Sequence, residues 1–177
     1  VTHKTAKEGF RPRCRAVLDL MTRICLPFPR RLFLGEQQLK RRLSGPADMF
    51  RVRYYHQLDS TNTYAKRLHA AGNRSPAVIL AERQTAGHGR LSRPFYSPGK
   101  TGLYMSLYYP CTSLVKDAVS ITAATAVAVS QAIEAISNRT ACIKWVNDIY
   151  LDEKKACGIL VEGSLPANGS DTGYIVI

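Results

Sequence analysis

Residues Phe50–Glu82, FRVRYYHQLDSTNTYAKRLHAAGNRSPAVILAE, decide the fold. Phe50 to Tyr55 alternates apolar and polar side chains as a half-buried strand does. Asp59-Ser60-Thr61-Asn62 is a cluster of N-cap residues leading into an apolar-spaced run from Tyr64 to Ala71, which Gly72 closes. Ala77 to Glu82 is a continuous apolar run of strand length. Strand, capped helix and buried strand in this order predict a sheet with a helix across it.

Downstream, Gln84 to Lys100 is glycine-punctuated and long for a connection in a compact domain, which marks it as functional or disordered. Gly102 to Tyr109 reads as a strand stopped by Pro110, and Leu114 to Ser137 as a helix with little charge, buried against a sheet. Three short β segments follow: Cys142–Val146, Ile149–Leu151 after a turn through Asn147-Asp148, and Ala156–Glu162. The last, Tyr174–Ile177, is an apolar strand that needs neighbours. Strands thus outnumber helices, and the pattern predicts an α+β fold with a mixed or antiparallel sheet rather than a βαβ array.

The chain has 177 residues and a net charge of +12, and 45% of it is hydrophobic, which excludes disorder over its whole length. The charge is uneven. Residues 1–49 carry 11 basic and four acidic side chains, an excess of +7, and the other 128 carry only +5. A basic arm over 1–48, with prolines at Pro12, Pro27, Pro29 and Pro46, is expected to form at most a short helix and a flexible tail. Neither the three-helix periodicity nor the hairpin turns of a winged-helix module are visible there, which argues against a nucleic-acid partner. Cys14, Cys25, Cys111, Cys142 and Cys157 form no CxxC or zinc-type spacing. No apolar run nears the roughly 20 residues that cross a bilayer, so a cytoplasmic protein without a membrane partner is expected.

Several stretches could carry chemistry. Gln84-Thr85-Ala86-Gly87-His88-Gly89-Arg90-Leu91-Ser92-Arg93 joins glycines, which let backbone N–H groups approach an anion, to forked guanidinium donors. A solvated loop and an anion site both fit it, and His88 matters there more for its backbone than its ring. Ser60-Thr61-Asn62 is explained by helix capping, though three small polar groups also suit a polar ligand head. Lys144-Trp145-Val146-Asn147-Asp148 reads as a hairpin turn with Trp145 in the core. Lys155, before the apolar Gly158–Val161 run, is either a solvated lysine or one turned towards the anion loop.

The order of these blocks resembles the catalytic domain of biotin protein ligases: Leu58–Asn62, Ala81–Arg90, Gly102–Ser106, Lys144–Asp148 and Lys155–Glu162, over about Phe50 to Ile177. The resemblance implies a largely antiparallel sheet packed against helices, of the class II aminoacyl-tRNA-synthetase-like kind. It implies an enzyme that joins biotin to ATP as biotinyl-5′-adenylate and passes biotin to a lysine of a biotin carboxyl carrier domain, as in acetyl-CoA carboxylase. By position, Ser60, Thr61, Asn62 and Gln84 look like contacts to the biotin head. Gly87, His88, Gly89 and Arg90 look like the loop over biotin and the adenylate phosphate, and Gly158 a further contact. Arg90, Arg93 and Lys155 would balance the reacting charges, and Asn147 and Asp148 would help place ATP or Mg²⁺.

This chain departs from the family pattern in three loop positions and one turn. His88, Leu91 and Ser92 stand where Gly-Arg-Gly-Arg-Arg-Gly-Arg is usual, and Val146 stands for a proline. The family also continues past Ile177 into more sheet and an SH3-like domain, so the chain reads as a fragment, with Met49 a plausible start. The resemblance leaves a homodimer open. Lipoate ligation and biotin-responsive repression through the arm are the competing functions.

Overall fold

The structure is a computed structural model that describes residues 49–111, 118–164 and 172–177. The arm over 1–48, the start of the expected helix at 114–117 and residues 165–171 lie outside the described residues. The described chain divides into two compact units, one comprising residues 49–118 and 160–177, the other 119–159.

The first unit is a five-stranded sheet. Strand β1 (Arg51–Leu58) leads into helix α1 (Thr61–Ala70), then β2 (Ala77–Gln84) and β3 (Tyr104–Cys111). A short 3₁₀ turn, Arg90–Ser92, lies between β2 and β3. Counting the strands of the second unit, the remaining two are β7 (Glu162–Ser164) and β8 (Gly173–Val176), and the sheet order is β1-β2-β3-β8-β7. β1 and β2 run parallel, as a strand–helix–strand crossover requires, and every other neighbour is antiparallel. Fold class and sheet type are thus those expected, α+β with a mixed, largely antiparallel sheet.

Residues directly opposite each other on paired strands share a face. Ala77, Tyr108, Val176 and Glu162 therefore form one row across four strands. On that face Leu58, Ala65, Ala77, Ile79, Ala81, Tyr108 and Val176 build a buried cluster with the apolar side of α1, flanked by Tyr55, Tyr64, Leu68, Tyr104 and Tyr174. Gly72 takes φ +84°, the left-handed conformation that ends α1 as its sequence suggested.

Pro110 does not stop β3; it lies within it, opposite Tyr174. The N–H and C=O of Leu107 and Ile177 exchange bonds of 2.9 and 3.0 Å. Two-residue alternation then makes Pro110 a non-hydrogen-bonded position towards β8. On its other side the pairing with β2 has already ended at Ala77–Tyr108, so the missing donor costs nothing. β8 has neighbours on both sides, and Val176 is fully buried.

The second unit holds helix α2 (Ala118–Ser137, its first residue excepted) and a meander of β4 (Cys142–Lys144), β5 (Asp148–Leu151) and β6 (Lys154–Gly158). The single strand expected over Ala156–Glu162 is two: β6 ends at Gly158, and β7 belongs to the other sheet. The expectation of no membrane-length run is also corrected. α2 has 20 residues, with a mean hydropathy of 1.5 over its most apolar stretch, and by length and composition alone is long and apolar enough to cross a membrane. It buries Thr122, Thr125 and Ser130 along with Ala126, Val129 and Ala132, while Val119 and Val127 are exposed and 33% of its most apolar stretch is buried; Thr125 Oγ1 donates to Ile121 O at 2.8 Å.

Candidate functional site

The amino end of α1 is tied down from three directions. Ser60 caps it, its Oγ accepting from Thr63 N at 3.4 Å. Asp59 accepts from Ser60 N at 2.8 Å and takes a two-pronged guanidinium contact from Arg67 at 2.6 and 2.9 Å. The Arg67 bonds, outweighing the effect of burial, hold the Asp59 carboxyl below its usual range. The third tie comes from β2: Gln84 Oε1 accepts from Thr61 N at 2.7 Å, in a place where a helix leaves its first donors unbonded. Ser60, Thr61 and Asn62 are all buried.

Gln84 also reaches the glycine loop, where its Nε2 donates to Ser97 Oγ at 3.1 Å and Ser97 Oγ donates to Phe95 O at 3.0 Å. The loop is a small hairpin. Phe95 N donates to Gly87 O and Gly89 N to Arg93 O, both at 2.8 Å, and His88 bridges Pro94. Leu91 and Ser92 turn its tip with positive φ, each 55°. A Cβ at Gly87 would lie 2.5 Å from Ser97 Oγ, 2.8 Å from Phe95 O and 2.9 Å from Gln84 Nε2, so only glycine fits there. At Gly89 the nearest atom would be 3.9 Å away. Arg90 and Arg93 are exposed on the outer half of the hairpin.

Glu162, on β7, completes the arrangement. Its carboxylate accepts from Asn62 Nδ2 at 2.9 Å and from Lys66 Nζ at 2.6 Å, and His88 Nε2 lies 3.6 Å from it. Burial would raise its pKa, but the bonds from Lys66 and Asn62 and the charges of Lys66 and His88 prevail and hold it below the usual carboxylate range. The His88 ring, not merely its backbone, is therefore engaged. Ser106 of β3, fully buried, places its hydroxyl on Asn62 Oδ1 and 2.8 Å from Thr61 Oγ1. Sequence reasoning assigned no role to Ser106, Glu162 or Lys66. The row alternation that puts Ser106 on the α1 face was the available signal for it. Glu162 lies 100 residues from Asn62 and had none.

In the second unit, Lys155 Nζ lies 2.8 Å from Asp148 Oδ1. β6 carries one extra residue here, since Cys157 faces Ile149 but Lys155 faces Tyr150. That bulge at Ala156 turns Lys155 to the same side as Gly158, three positions on. A Cβ at Gly158 would meet Lys155 Cε at 3.2 Å and Nζ at 3.3 Å. Gly158 thus leaves the room in which the lysine lies. Asn147 is bound to the backbone of Ile159: its O accepts from Ile159 N at 2.8 Å and its Nδ2 donates to Ile159 O at 3.3 Å. The turn between β4 and β5 is as expected, but Trp145 is 76% exposed rather than in the core; Ile149, fully buried, fills the strand interior instead.

Asn147 donates its amide nitrogen to Ile159 O, and Asp148 holds the Lys155 ammonium against one carboxylate oxygen. The sequence-predicted residues thus gather in two groups. Ser60, Thr61, Asn62, Gln84, Gly87 and His88 are linked through one hydrogen-bonded cluster, with Gly89, Arg90 and Arg93 on its hairpin. Lys155, Gly158, Asn147 and Asp148 belong to the β5–β6 hairpin of the second unit.

A sequence model of the biotin/lipoate A/B protein ligase family matches residues 54–177. The chain is 39% identical over 111 residues to the bifunctional ligase/repressor BirA of Bacillus spizizenii, covering 62% of this chain and 34% of that protein. It is 31% identical over 153 residues to the BirA of Escherichia coli K12, covering 86% and 45%. Among solved structures, a biotin protein ligase from Aquifex aeolicus in complex with biotin and ATP aligns with a TM-score of 0.56 and 27% identity over 71% of this chain and 50% of that one. The chain spans about a third to a half of the length of these curated relatives.

Proposed function

Because the chain belongs to the biotin/lipoate A/B protein ligase family, we propose that it is part of a biotin protein ligase and that its buried polar cluster receives the biotin head. The observation that carries this reading is the double tie of Gln84, which joins the amino end of α1 to the glycine hairpin. A ligand lying between them would meet small polar groups on one side and closely approaching backbone on the other. A preformed, buried polar cluster of this kind fixes the orientation of a small neutral head group, while the rest of the ligand remains free to react.

The reaction begins with a biotin carboxylate oxygen attacking the α-phosphorus of ATP. The bond to pyrophosphate breaks, and a mixed anhydride remains. The amine of a carrier-domain lysine then attacks the acyl carbon, AMP leaves with the bonding electrons, and the amine loses a proton. The first step brings two anions together, so its main demand is for fixed positive charge. Arg90 and Arg93 on the hairpin supply guanidinium groups suited to phosphate and carboxylate oxygens. Lys155 supplies a compact ammonium group, which must exchange Asp148 for the substrate.

The test is ATP–pyrophosphate exchange by the full-length protein, followed by transfer of labelled biotin or lipoate to matching carrier domains. Biotin-dependent exchange and biotinylation are expected, with exchange reduced by Arg90→Ala. Lipoylation in preference to biotinylation refutes the assignment.

A further inference from the structure

We infer that His88 is a positioning residue whose ring latches the glycine hairpin to the Glu162 carboxylate of β7, and so sets how long the site holds its adenylate. This rests on the biotin-ligase reading and deepens it by naming what keeps the hairpin seated. The root of the hairpin is pinned to the body, with Thr85 N donating to Leu58 O at 3.0 Å and Ala86 N to Asp59 O at 2.8 Å. Beyond it, the bonds from Phe95 N and Gly89 N fold the hairpin on itself and do not tie it to the sheet. His88 reaches across instead: Nε2 lies 3.6 Å from Glu162 Oε2, and Nδ1 lies 3.5 Å from Ala86 O. Both contacts are at the long limit for hydrogen bonds, so a small shift of the ring closes them. The carboxylate they close on is fixed, since Lys66 and Asn62 hold it from α1. Its Oε2 accepts one bond from Asn62 and keeps a lone pair for the ring.

The oxygens facing the ring carry no proton, and only a doubly protonated ring donates at both nitrogens. Its charge is thereby directed at the protein rather than at a ligand phosphate. Glu162 of β7 attracts that charge; Lys66 of α1, bound to the same carboxylate, and Arg90 and Arg93 on the hairpin itself oppose it. Glu162 stays ionised over the range in which a histidine titrates, about pH 5–8, because its own pKa lies below the usual carboxylate range. Loss of the ring proton leaves a lone pair facing an oxygen, so the latch weakens and adenylate escapes faster as pH rises.

The experiment loads the full-length protein with labelled biotinyl-adenylate, dilutes it into excess unlabelled adenylate, and follows release between about pH 5 and 8. Wild type is expected to release about fivefold faster at the alkaline end. His88→Phe, which keeps a ring without an N–H, should release at that faster rate throughout. In a Glu162→Gln background, His88→Phe should change release by less than about twofold, because the two groups act as one pair. Effects that multiply instead mean that the ring acts on the ligand directly, and they overturn the inference. A flat wild-type profile does the same, as does a slope that His88→Phe retains, which is what a merely structural ring gives. If Glu162→Gln does not fold, the pH profiles of wild type and His88→Phe decide. These failures leave the ligase reading intact. No adenylate formed from biotin and ATP by wild type overturns that reading, and this inference with it.

Discussion

Two glycines of one hairpin should respond to alanine in opposite ways. At Gly87 the added methyl meets Ser97 Oγ, Phe95 O and Gln84 Nε2, all under 3.0 Å. Ser97 and Gln84 are side chains, but moving them breaks the bond between them, a loss of about 1 kcal/mol. Phe95 O is backbone, and its own N–H is bound to Gly87 O at 2.8 Å, so it yields only if the hairpin opens. Overpacking of this kind costs about 1–3 kcal/mol. Reduced freedom of the unfolded chain returns about 0.4–1 kcal/mol. The net expectation is a loss of about 1–3 kcal/mol for Gly87→Ala, a melting temperature lower by about 2–10 °C, and weakened biotin binding. At Gly89 the backbone is extended and the nearest atom is 3.9 Å away, so Gly89→Ala should be neutral or stabilising by up to about 1 kcal/mol. Urea and thermal unfolding of both variants, each with a biotin titration, make the comparison. Equal effects at the two positions, or a Gly87→Ala as stable as wild type, would refute the steric argument.

Lys155→Ala should cut biotin-dependent pyrophosphate exchange by about a hundredfold and change unfolding free energy by no more than about 1 kcal/mol, because the Lys155 side chain is 40% exposed; undiminished exchange would remove its catalytic role. Acid should destabilise the first unit through Glu162. Its folded pKa is depressed, so its contribution is complete above the unfolded value of about 4.3 and vanishes as pH falls through the lower folded one. Glu162→Gln should therefore flatten the acid limb of the stability profile below about pH 4.3, and an unchanged limb would count against the linkage. Trp145 is the sole tryptophan, and its exposure predicts red-shifted emission readily quenched by acrylamide in the 177-residue chain; protected, blue-shifted emission would contradict its placement.

What was legible in the sequence was local. The alternation of β1, the Ser60 cap and the Gly72 stop are each written within a few residues, because capping and left-handed turns are chosen by the residues that adopt them. The glycine hairpin was visible as a candidate, but not which glycine mattered; that depends on Ser97 and Phe95 folding back over Gly87. Misreadings arose where distant pairing overrides local preference. Pro110 signals a strand end until the register shows that neither neighbour needs its N–H. The apolar run from Ala156 to Glu162 looks like one strand, yet its two ends pair with different sheets. Trp145, large and apolar, reads as core until Ile149 is found to occupy the interior. The part of the cluster supplied by Glu162 was illegible for the same reason.

Val176 is the ruler for that distant part. It pairs with Tyr108 on one side and Glu162 on the other, and β7 meets the sheet only through β8 among the described residues. Since side chains alternate faces, a one-residue slip of β7 against β8 would carry Glu162 to the opposite face and leave Asn62 and Lys66 without their acceptor. The buried cluster at the start of α1 is thus completed only when a strand more than 100 residues downstream finds its register, and a nascent chain that has not yet made β8 holds the helix cap but not the completed cluster.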